Sequence, residues 1–224
     1  MNVETFYDNK TATFTYVLFD PASKECGVID SVADYDIFSG RASMESADKV
    51  IDFINQNQLK NKWILETHVH ADHITAAHYL KSKIGGKIGI GSGIKTVLDT
   101  WLDVFETAND TPSDGSQFDV LFEEGDTFNI GEYEVKVWHT PGHTPACASF
   151  LVDGKIFVGD TMFAMAIEYL IKTDHPGYAE VISEVLAGAA GFAALDPEEA
   201  FEGLPLTGFE HKYRVEGRPI HAER

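Results

Sequence analysis

The chain has 224 residues, 44% of them hydrophobic, which is enough for one sizeable globular core or for two small ones. Lysine and arginine number 17 against 36 aspartates and glutamates, so the net charge of −19 argues against a nucleic-acid partner. The chain lacks a run of 18 apolar residues, and its start lacks a secretory signal pattern, so we expect neither a membrane-spanning helix nor a membrane partner. Two cysteines give no disulfide framework, which favours small core residues in a cytoplasmic protein.

The first half of the chain alternates between predicted strands and helices. Residues 14–19 and 25–30 flank a turn segment and predict a β-hairpin. Ser46 is the predicted N-cap of a helix whose apolar residues recur at helical spacing. Residues 63–65 predict a short buried strand that leads into a histidine-rich segment. Residues 74–84 predict a second helix, ended by a pair of glycines.

The second half returns to strands before its pattern changes. Residues 133–138 predict a strand with valines on one face. Residues 148–152 and 155–158 are separated by an Asp-Gly pair, which is a strong signal for a two-residue hairpin turn. Residues 178–194 are rich in alanine and predict a helix. Strands and helices therefore fall into two sets, which favours a layered sheet sandwich with helices outside.

A cluster of metal-binding residue types follows the predicted strand at residues 63–65. His68, His70, Asp72 and His73 occur within six residues. At a strand end, alternate side chains lie on one side, so His68 and His70 can reach a single ion. Asp72 and His73 come after the chain turns and can face a neighbouring ion instead. Imidazole and carboxylate ligands together suit zinc, iron or manganese better than calcium.

Two later segments complete the predicted metal site. His143 stands in a loop after a strand, where proline and glycine fix its direction. Asp160 follows Gly159 at the end of another predicted strand. His139 is predicted to orient the His143 loop rather than to bind metal. Asp30 is a candidate acceptor for the second ring nitrogen of a ligating histidine.

These motifs, taken in this order, resemble the metallo-β-lactamase superfamily. Within it, the chain is similar to the persulfide dioxygenases and to glyoxalase II-like hydrolases. The matching stretches lie within about residues 1–163 and are 34–36, 39–41, 45–50, 67–75, 139–147 and 157–163. The resemblance implies an α+β fold, a metallo-β-lactamase-like αβ/βα four-layer sandwich with the metal between its sheets.

The resemblance also implies two alternative ligand sets. In a persulfide dioxygenase, one Fe²⁺ would be held by His68, His143 and Asp160, with His70 as a near neighbour or fourth ligand. In a hydrolase, His68, His70 and His143 would hold one Zn²⁺. Asp72 and His73 would then hold a second Zn²⁺, bridged by Asp160. Asp72 and His70 are the predicted catalytic residues, and the alternative cofactor is one or two Zn²⁺.

Three functions follow from these alternatives. The first is a sulfur dioxygenase that oxidises glutathione persulfide to sulfite and glutathione. The second is a metallo-hydrolase of thioesters such as S-lactoylglutathione, or of lactones. The third is a catalytically silent metal-binding protein. The expected partner is a small thiol-derived molecule, and a homodimer is left open.

The match to the family ends after Phe163. We therefore divide the chain into a metal-binding core, residues 1–163, and an atypical C-terminal segment, residues 164–224. If this segment completes the same domain, the second half of the sandwich is complete. If it is only appended to the domain, the second half is incomplete.

Overall fold

A computed structural model of the protein describes residues 1–71, 73–106 and 111–161. The residues through Gly159 form one compact unit. The predicted helix at 178–194 and the whole segment 164–224 lie outside the described residues, as does Asp72. Within the described ranges, no helix combines the length and the apolar character that crossing a membrane requires.

The described elements alternate along the chain much as the sequence predicts. The helices are α1 (Glu45–Gln56), α2 (Ala77–Ile84) and α3 (Ile94–Val104), and a short 3₁₀ turn covers Gly159–Thr161. The strands, in chain order, are β1 (Asn2–Asp8), β2 (Thr13–Phe19), β3 (Glu25–Ile29), β4 (Val32–Asp36), β5 (Arg41–Ser43), β6 (Lys60–Leu65), β7 (Ile74–Thr75), β8 (Lys87–Gly91), β9 (Val120–Phe122), β10 (Thr127–Ile130), β11 (Tyr133–His139), β12 (Ala148–Val152) and β13 (Lys155–Phe157).

Two sheets organise the described chain. The first has the strand order β1-β2-β3-β6-β8-β9, in which β1, β2 and β3 are antiparallel and β3, β6, β8 and β9 are parallel. The second is an antiparallel sheet with the order β10-β11-β12-β13. A smaller sheet joins β5, β4 and β7. The parallel strands carry their loops at one common edge, and this edge positions the candidate site.

The first sheet is buried on both faces, because alternate residues of each strand point to opposite sides. Val28 and Ile64 pack with α1 and α2 in one apolar cluster. Their neighbours Ile29 and Leu65 pack with Val135 and other residues of the second sheet in another cluster. The layers are therefore helices, sheet and sheet, which confirms the predicted α+β sandwich. The second half of the predicted sandwich involves residues 164–224, which lie outside the described ranges.

Both predicted hairpins are confirmed. Strands β2 and β3 pair around the turn after Phe19. Strands β12 and β13 pair around Asp153 and Gly154, whose φ angles of 51° and 69° both lie in the left-handed region. This is the geometry of a two-residue turn that matches the right-handed twist of the strands.

The starts of two helices differ from the prediction. Ser46 lies inside α1, and Met44 is the N-cap residue, so the predicted cap is wrong. The Asp34 carboxylate from β4 caps the helix instead: it accepts hydrogen bonds from the Ser46 backbone N–H at 2.8 Å and from its hydroxyl at 2.9 Å. The second helix begins at Ala77 rather than at residue 74, because Ile74 and Thr75 pair with β4 as β7.

Candidate metal centre

The histidine-rich loop leaves the carboxyl end of β6, between the two parallel neighbours of that strand. The Asp30 backbone N–H donates to Leu65 O at 3.0 Å, and the Glu66 backbone N–H donates to Gly89 O at 3.0 Å. These bonds carry the sheet pairing past the end of β6, which is at Leu65. His68 therefore lies in a loop that is anchored on both sides, rather than on the strand end that the sequence predicts.

Three predicted ligands converge at this edge. The ligand atoms of His68, His143 and Asp160 all lie within 4.8 Å of one another. His68 is buried, Asp160 is half-buried and His143 is exposed. The rings of His68 and His143 are 5.0 Å apart between centroids and nearly perpendicular. Two imidazoles and one carboxylate at this spacing can hold a single transition-metal ion.

The loop that carries His143 is joined to the His68 loop by the backbone. The Ala148 N–H, at the start of β12, donates to Thr67 O at 2.8 Å. The Thr140 N–H donates to Cys147 O at 2.8 Å, which closes the loop between β11 and β12. Strand β13 ends at Phe157, so Asp160 stands in the 3₁₀ turn and not at the strand tip.

Asp30 and Thr67 determine which nitrogen of His68 can bind a metal. The Thr67 hydroxyl lies 2.8 Å from Asp30 Oδ2 and 3.0 Å from His68 Nδ1. Because the hydroxyl has a single proton and the ionised carboxylate only accepts, this proton goes to Asp30 and His68 Nδ1 must donate to Thr67. The lone pair of the neutral ring then lies on Nε2, as a metal ligand requires. These contacts support the predicted role of Asp30, which orients a ligating histidine without binding the metal itself. The two imidazoles and the carboxylate of the site are groups that bind a metal ion.

His70 faces two buried carboxylates. Its Nε2 lies 3.2 Å from Asp30 Oδ1 and 3.1 Å from Glu66 Oε2, and these three residues form a second compact group. Burial opposes the charged imidazolium, but the two carboxylates outweigh it and raise the pKa of His70 to about 11. Burial would also raise the pKa of Asp30, but His70 and Thr67 outweigh it and hold that pKa below its ordinary value.

The remaining predicted histidines have distinct surroundings. The centroid of the His70 ring is 4.2 Å from that of His68 and 4.1 Å from that of His73, with interplanar angles of 57° and 34°, so the three rings are in contact but tilted. Asp72, which the sequence predicts as a catalytic residue and second-metal ligand, lies outside the described residues. His139 Nε2 is 2.9 Å from Phe122 O, as suits a residue that orients the loop.

Gly159 lies directly on the His68 loop, where only a glycine fits. Its φ of 52° lies in the left-handed region, which favours glycine. A Cβ atom at this position would collide with the Thr67 hydroxyl and would lie 2.8 Å from Thr67 Cβ. The glycine therefore allows the backbone at residue 159 to approach Thr67, the residue that orients His68.

Glu66 and Thr67 have roles at the site that were not predicted from the sequence. Both are buried, with exposed fractions of 2% and 1%. Glutamate is almost never fully buried unless it is paired, so an acidic residue directly after a buried strand is a signal that sequence reasoning can use. The signal for Thr67 is weaker, because a threonine at a strand end is common in any sheet.

Comparisons with known proteins place these residues in a family context. The sequence model of the metallo-beta-lactamase superfamily matches residues 15–198 of this chain. Glyoxylase B2 of Dictyostelium discoideum is 45% identical over 163 residues, which are 72% of this chain and 56% of that protein. The human mitochondrial persulfide dioxygenase ETHE1 is 28% identical over 219 residues, which are 95% of this chain and 73% of that protein.

A solved structure extends the comparison to the fold. The crystal structure of ETHE1 from Myxococcus xanthus superposes with a TM-score of 0.56 at 25% identity, covering 84% of this chain and 68% of that chain. The chain spans 63%, 56% and 40% of the lengths of the first three curated relatives that it matches.

Proposed function

This chain belongs to the metallo-β-lactamase superfamily, and from that premise we propose that it is a mononuclear iron enzyme that oxidises a persulfide with O₂. The observation that carries the proposal is the group formed by His68, His143 and Asp160, with ligand atoms within 4.8 Å of one another. Two histidines and one carboxylate form the ligand set of non-haem Fe²⁺ oxygenases and leave coordination positions for other molecules.

Residues around the site orient the candidate ligands in the absence of a metal ion. Thr67 and Asp30 hold His68 in the tautomer that presents Nε2. The exposure of His143 leaves one side of the group accessible from solvent. When bound, Fe²⁺ would supply the redox chemistry with O₂. His70 and Asp72 are the proposed proton-handling residues.

The proposed substrate is a thiol-derived persulfide such as glutathione persulfide. The similarity to a persulfide dioxygenase extends over 95% of this chain, which supports this substrate class. The reaction balances as one persulfide, one O₂ and one water giving one thiol and one sulfurous acid, which ionises to sulfite. The outer sulfur is oxidised and forms new bonds to oxygen, while O₂ is reduced. The sulfur–sulfur bond breaks, and the inner sulfur keeps its electron pair and takes a proton to leave as the thiol.

Metal analysis combined with an oxygen electrode tests the proposal. Protein expressed with iron and zinc both supplied should contain about one iron per chain, as expected for one set of three ligands. Glutathione persulfide should then drive O₂ uptake with release of sulfite. The exposed His78 of α2 offers a matched control, since H78A should leave both values unchanged. Zinc-only protein that takes up no O₂ would contradict the proposal.

A second candidate is a dinuclear zinc hydrolase of a thioester or lactone. The observation that favours it is the ring of His73, which lies 4.1 Å from that of His70 and supplies a further imidazole beside the site. The similarity to glyoxylase B2 supports it as well. Two zinc ions per chain with hydrolysis of S-lactoylglutathione would favour this candidate. An Asp72→Ala variant that keeps its metal content and activity would argue against it.

We propose three further properties of the protein on its sequence alone: catalytic silence as a third alternative, a cytoplasmic location and a homodimer. Bound metal without turnover of persulfides, thioesters and lactones would favour a catalytically silent metal-binding protein. A cytoplasmic location and a homodimer are proposed on the sequence alone. Size-exclusion chromatography with light scattering measures the second of these directly.

A further inference from the structure

Glu66 is a buried acid whose two carboxylate oxygens have different partners. Oε1 accepts a hydrogen bond from the Thr75 hydroxyl at 2.5 Å, and Oε2 lies 3.1 Å from His70 Nε2. The residue itself is 2% exposed. A carboxylate in such a place is costly unless its oxygens are hydrogen-bonded, so both contacts contribute to retaining it there.

The geometry around His70 determines where its proton lies. Nε2 is within 3.2 Å of two carboxylate oxygens, one from Asp30 and one from Glu66. An ionised carboxylate only accepts hydrogen bonds, so the nitrogen between the two must carry a hydrogen. This holds whether or not the ring is charged. Any metal that used His70 would have to bind Nδ1.

The same contacts fix the position of the His70 ring within the loop. Its centroid is 4.2 Å from that of His68 and 4.1 Å from that of His73. A rotation of His70 would therefore disturb the rings on both sides. Through the Thr75 hydroxyl, Glu66 also joins this loop to β7, which follows His73 directly.

We propose that Glu66 is a positioning residue for the metal centre. Together with Asp30 it keeps a proton on His70 Nε2 and holds the ring between His68 and His73. It therefore decides which nitrogen of His70 faces a metal and keeps the neighbouring ligand His68 in place. This inference deepens the proposed function and rests on it, because it assumes that a metal binds at His68, His143 and Asp160.

Two substitutions separate hydrogen bonding from side-chain volume. E66Q keeps the length of the side chain and one oxygen that accepts from His70 Nε2–H. E66A removes both contacts. Loss of a direct partner of a ligating histidine typically lowers metal affinity by about 10–100-fold. Glu66 reaches the ligand His68 only through the His70 ring, so E66A should weaken metal binding measurably, with that factor as the upper bound. E66Q should stay near the wild-type affinity. If E66A does not fold, E66M has a similar length without the acceptor.

The decisive measurement is made without metal. Long-range ¹H–¹⁵N NMR spectra of the histidine rings in apo-protein should show a proton on His70 Nε2 in the wild type and in E66Q, and a shifted His70 signal in E66A. A variant that is destabilised elsewhere, D34A at the cap of α1, should leave the His70 signal in place. This control separates positioning from a general loss of stability.

The outcomes distinguish the two proposals. If the wild type binds neither iron nor zinc, the proposed function fails, while the NMR spectra still test whether Glu66 fixes the His70 ring and its Nε2 proton. If the wild type binds metal and E66A, or E66M in its place, shows the same affinity and the same His70 signal, the positioning role is wrong. Loss of one whole metal ion per chain in E66Q would also overturn it, because Glu66 would then be a ligand.

Discussion

Asp30 receives two hydrogen bonds from Thr67, one from the backbone N–H and one from the hydroxyl, both at 2.8 Å. The pair joins the carboxyl ends of β3 and β6 through residues 37 positions apart. The same Thr67 hydroxyl accepts from His68 Nδ1. A single threonine therefore links the buried carboxylate to the orientation of a candidate metal ligand.

Replacing Thr67 by valine should weaken metal binding with little change in shape. The substitution removes the hydroxyl between Asp30 and His68, so the tautomer of His68 is no longer fixed. We expect metal affinity to fall by about 10–100-fold, as for other partners of ligating histidines. Loss of a hydrogen bond to a charged group should also cost about 1.5–3 kcal/mol of unfolding free energy.

Thr15→Val is the matched control for this prediction. The Thr15 hydroxyl is also buried and donates to the backbone oxygen of Asp30 at 2.7 Å. This variant should lose about 1 kcal/mol of stability and keep its metal affinity. Chelator competition and urea titration measure the two quantities. Equal metal affinities for the two variants would show that the hydroxyl of Thr67 does not act through His68.

Replacing Gly159 by alanine should destabilise the protein and its metal site together. Alanine costs about 1–2 kcal/mol in the left-handed region, and the collision of its Cβ with Thr67 adds a packing cost of about 1–3 kcal/mol. Gly154→Ala is a control with a φ of 69° and open space around the added Cβ. Gly154→Ala should lose only the stability that the left-handed backbone costs alanine, and its metal affinity should be unchanged. Similar unfolding midpoints for the two variants would contradict the close contact at Gly159.

The Asp34 carboxylate should act as the cap of α1. Asp34→Ala removes the acceptor for the Ser46 N–H and hydroxyl, so we expect a loss of about 1 kcal/mol, the usual effect of deleting a cap. Glu45→Ala, an exposed acidic residue in the same first turn, should cost only a few tenths of a kcal/mol, about the value of a helix-dipole interaction. The difference between the two in urea denaturation checks the assignment.

Cys26 should resist alkylation in the folded protein. Burial raises the pKa of its thiol to about 12, so the reactive thiolate is about one part in 10⁴ at pH 8. Iodoacetamide followed by mass spectrometry should leave Cys26 unmodified until denaturant is added. Full modification in urea is the control for reagent quality. Rapid modification under native conditions would mean that Cys26 is not buried as described.

His143→Ala should remove the metal at little cost to the fold. The side chain is exposed, so its loss should change the unfolding free energy of apo-protein by less than about 0.5 kcal/mol. Metal content by mass spectrometry should fall from about one ion per chain to near zero, because one of three ligands is missing. Metal content that matches the wild type would show that His143 is not a ligand.

Much of the architecture could be predicted from local sequence patterns. Turns at 20–24 and 153–154 depend on residues within a few positions of one another, so both hairpins were predicted correctly. The start of α2 could not be predicted in this way, because Ile74 and Thr75 pair with β4, some 40 residues earlier. The same applies to the cap of α1, since Asp34 lies twelve positions before Ser46.

The sequence by itself determined the candidate ligands His68, His143 and Asp160, because metal chemistry restricts residue types and the motifs occur in a specific order. Only the tertiary structure decided what orients them. Asp30, Glu66 and Thr67 act through hydrogen bonds of about 3 Å, most of them between separate strands and loops. Such bonds depend on how strands align in the sheet. A residue's type and its neighbours in the chain do not reveal that alignment.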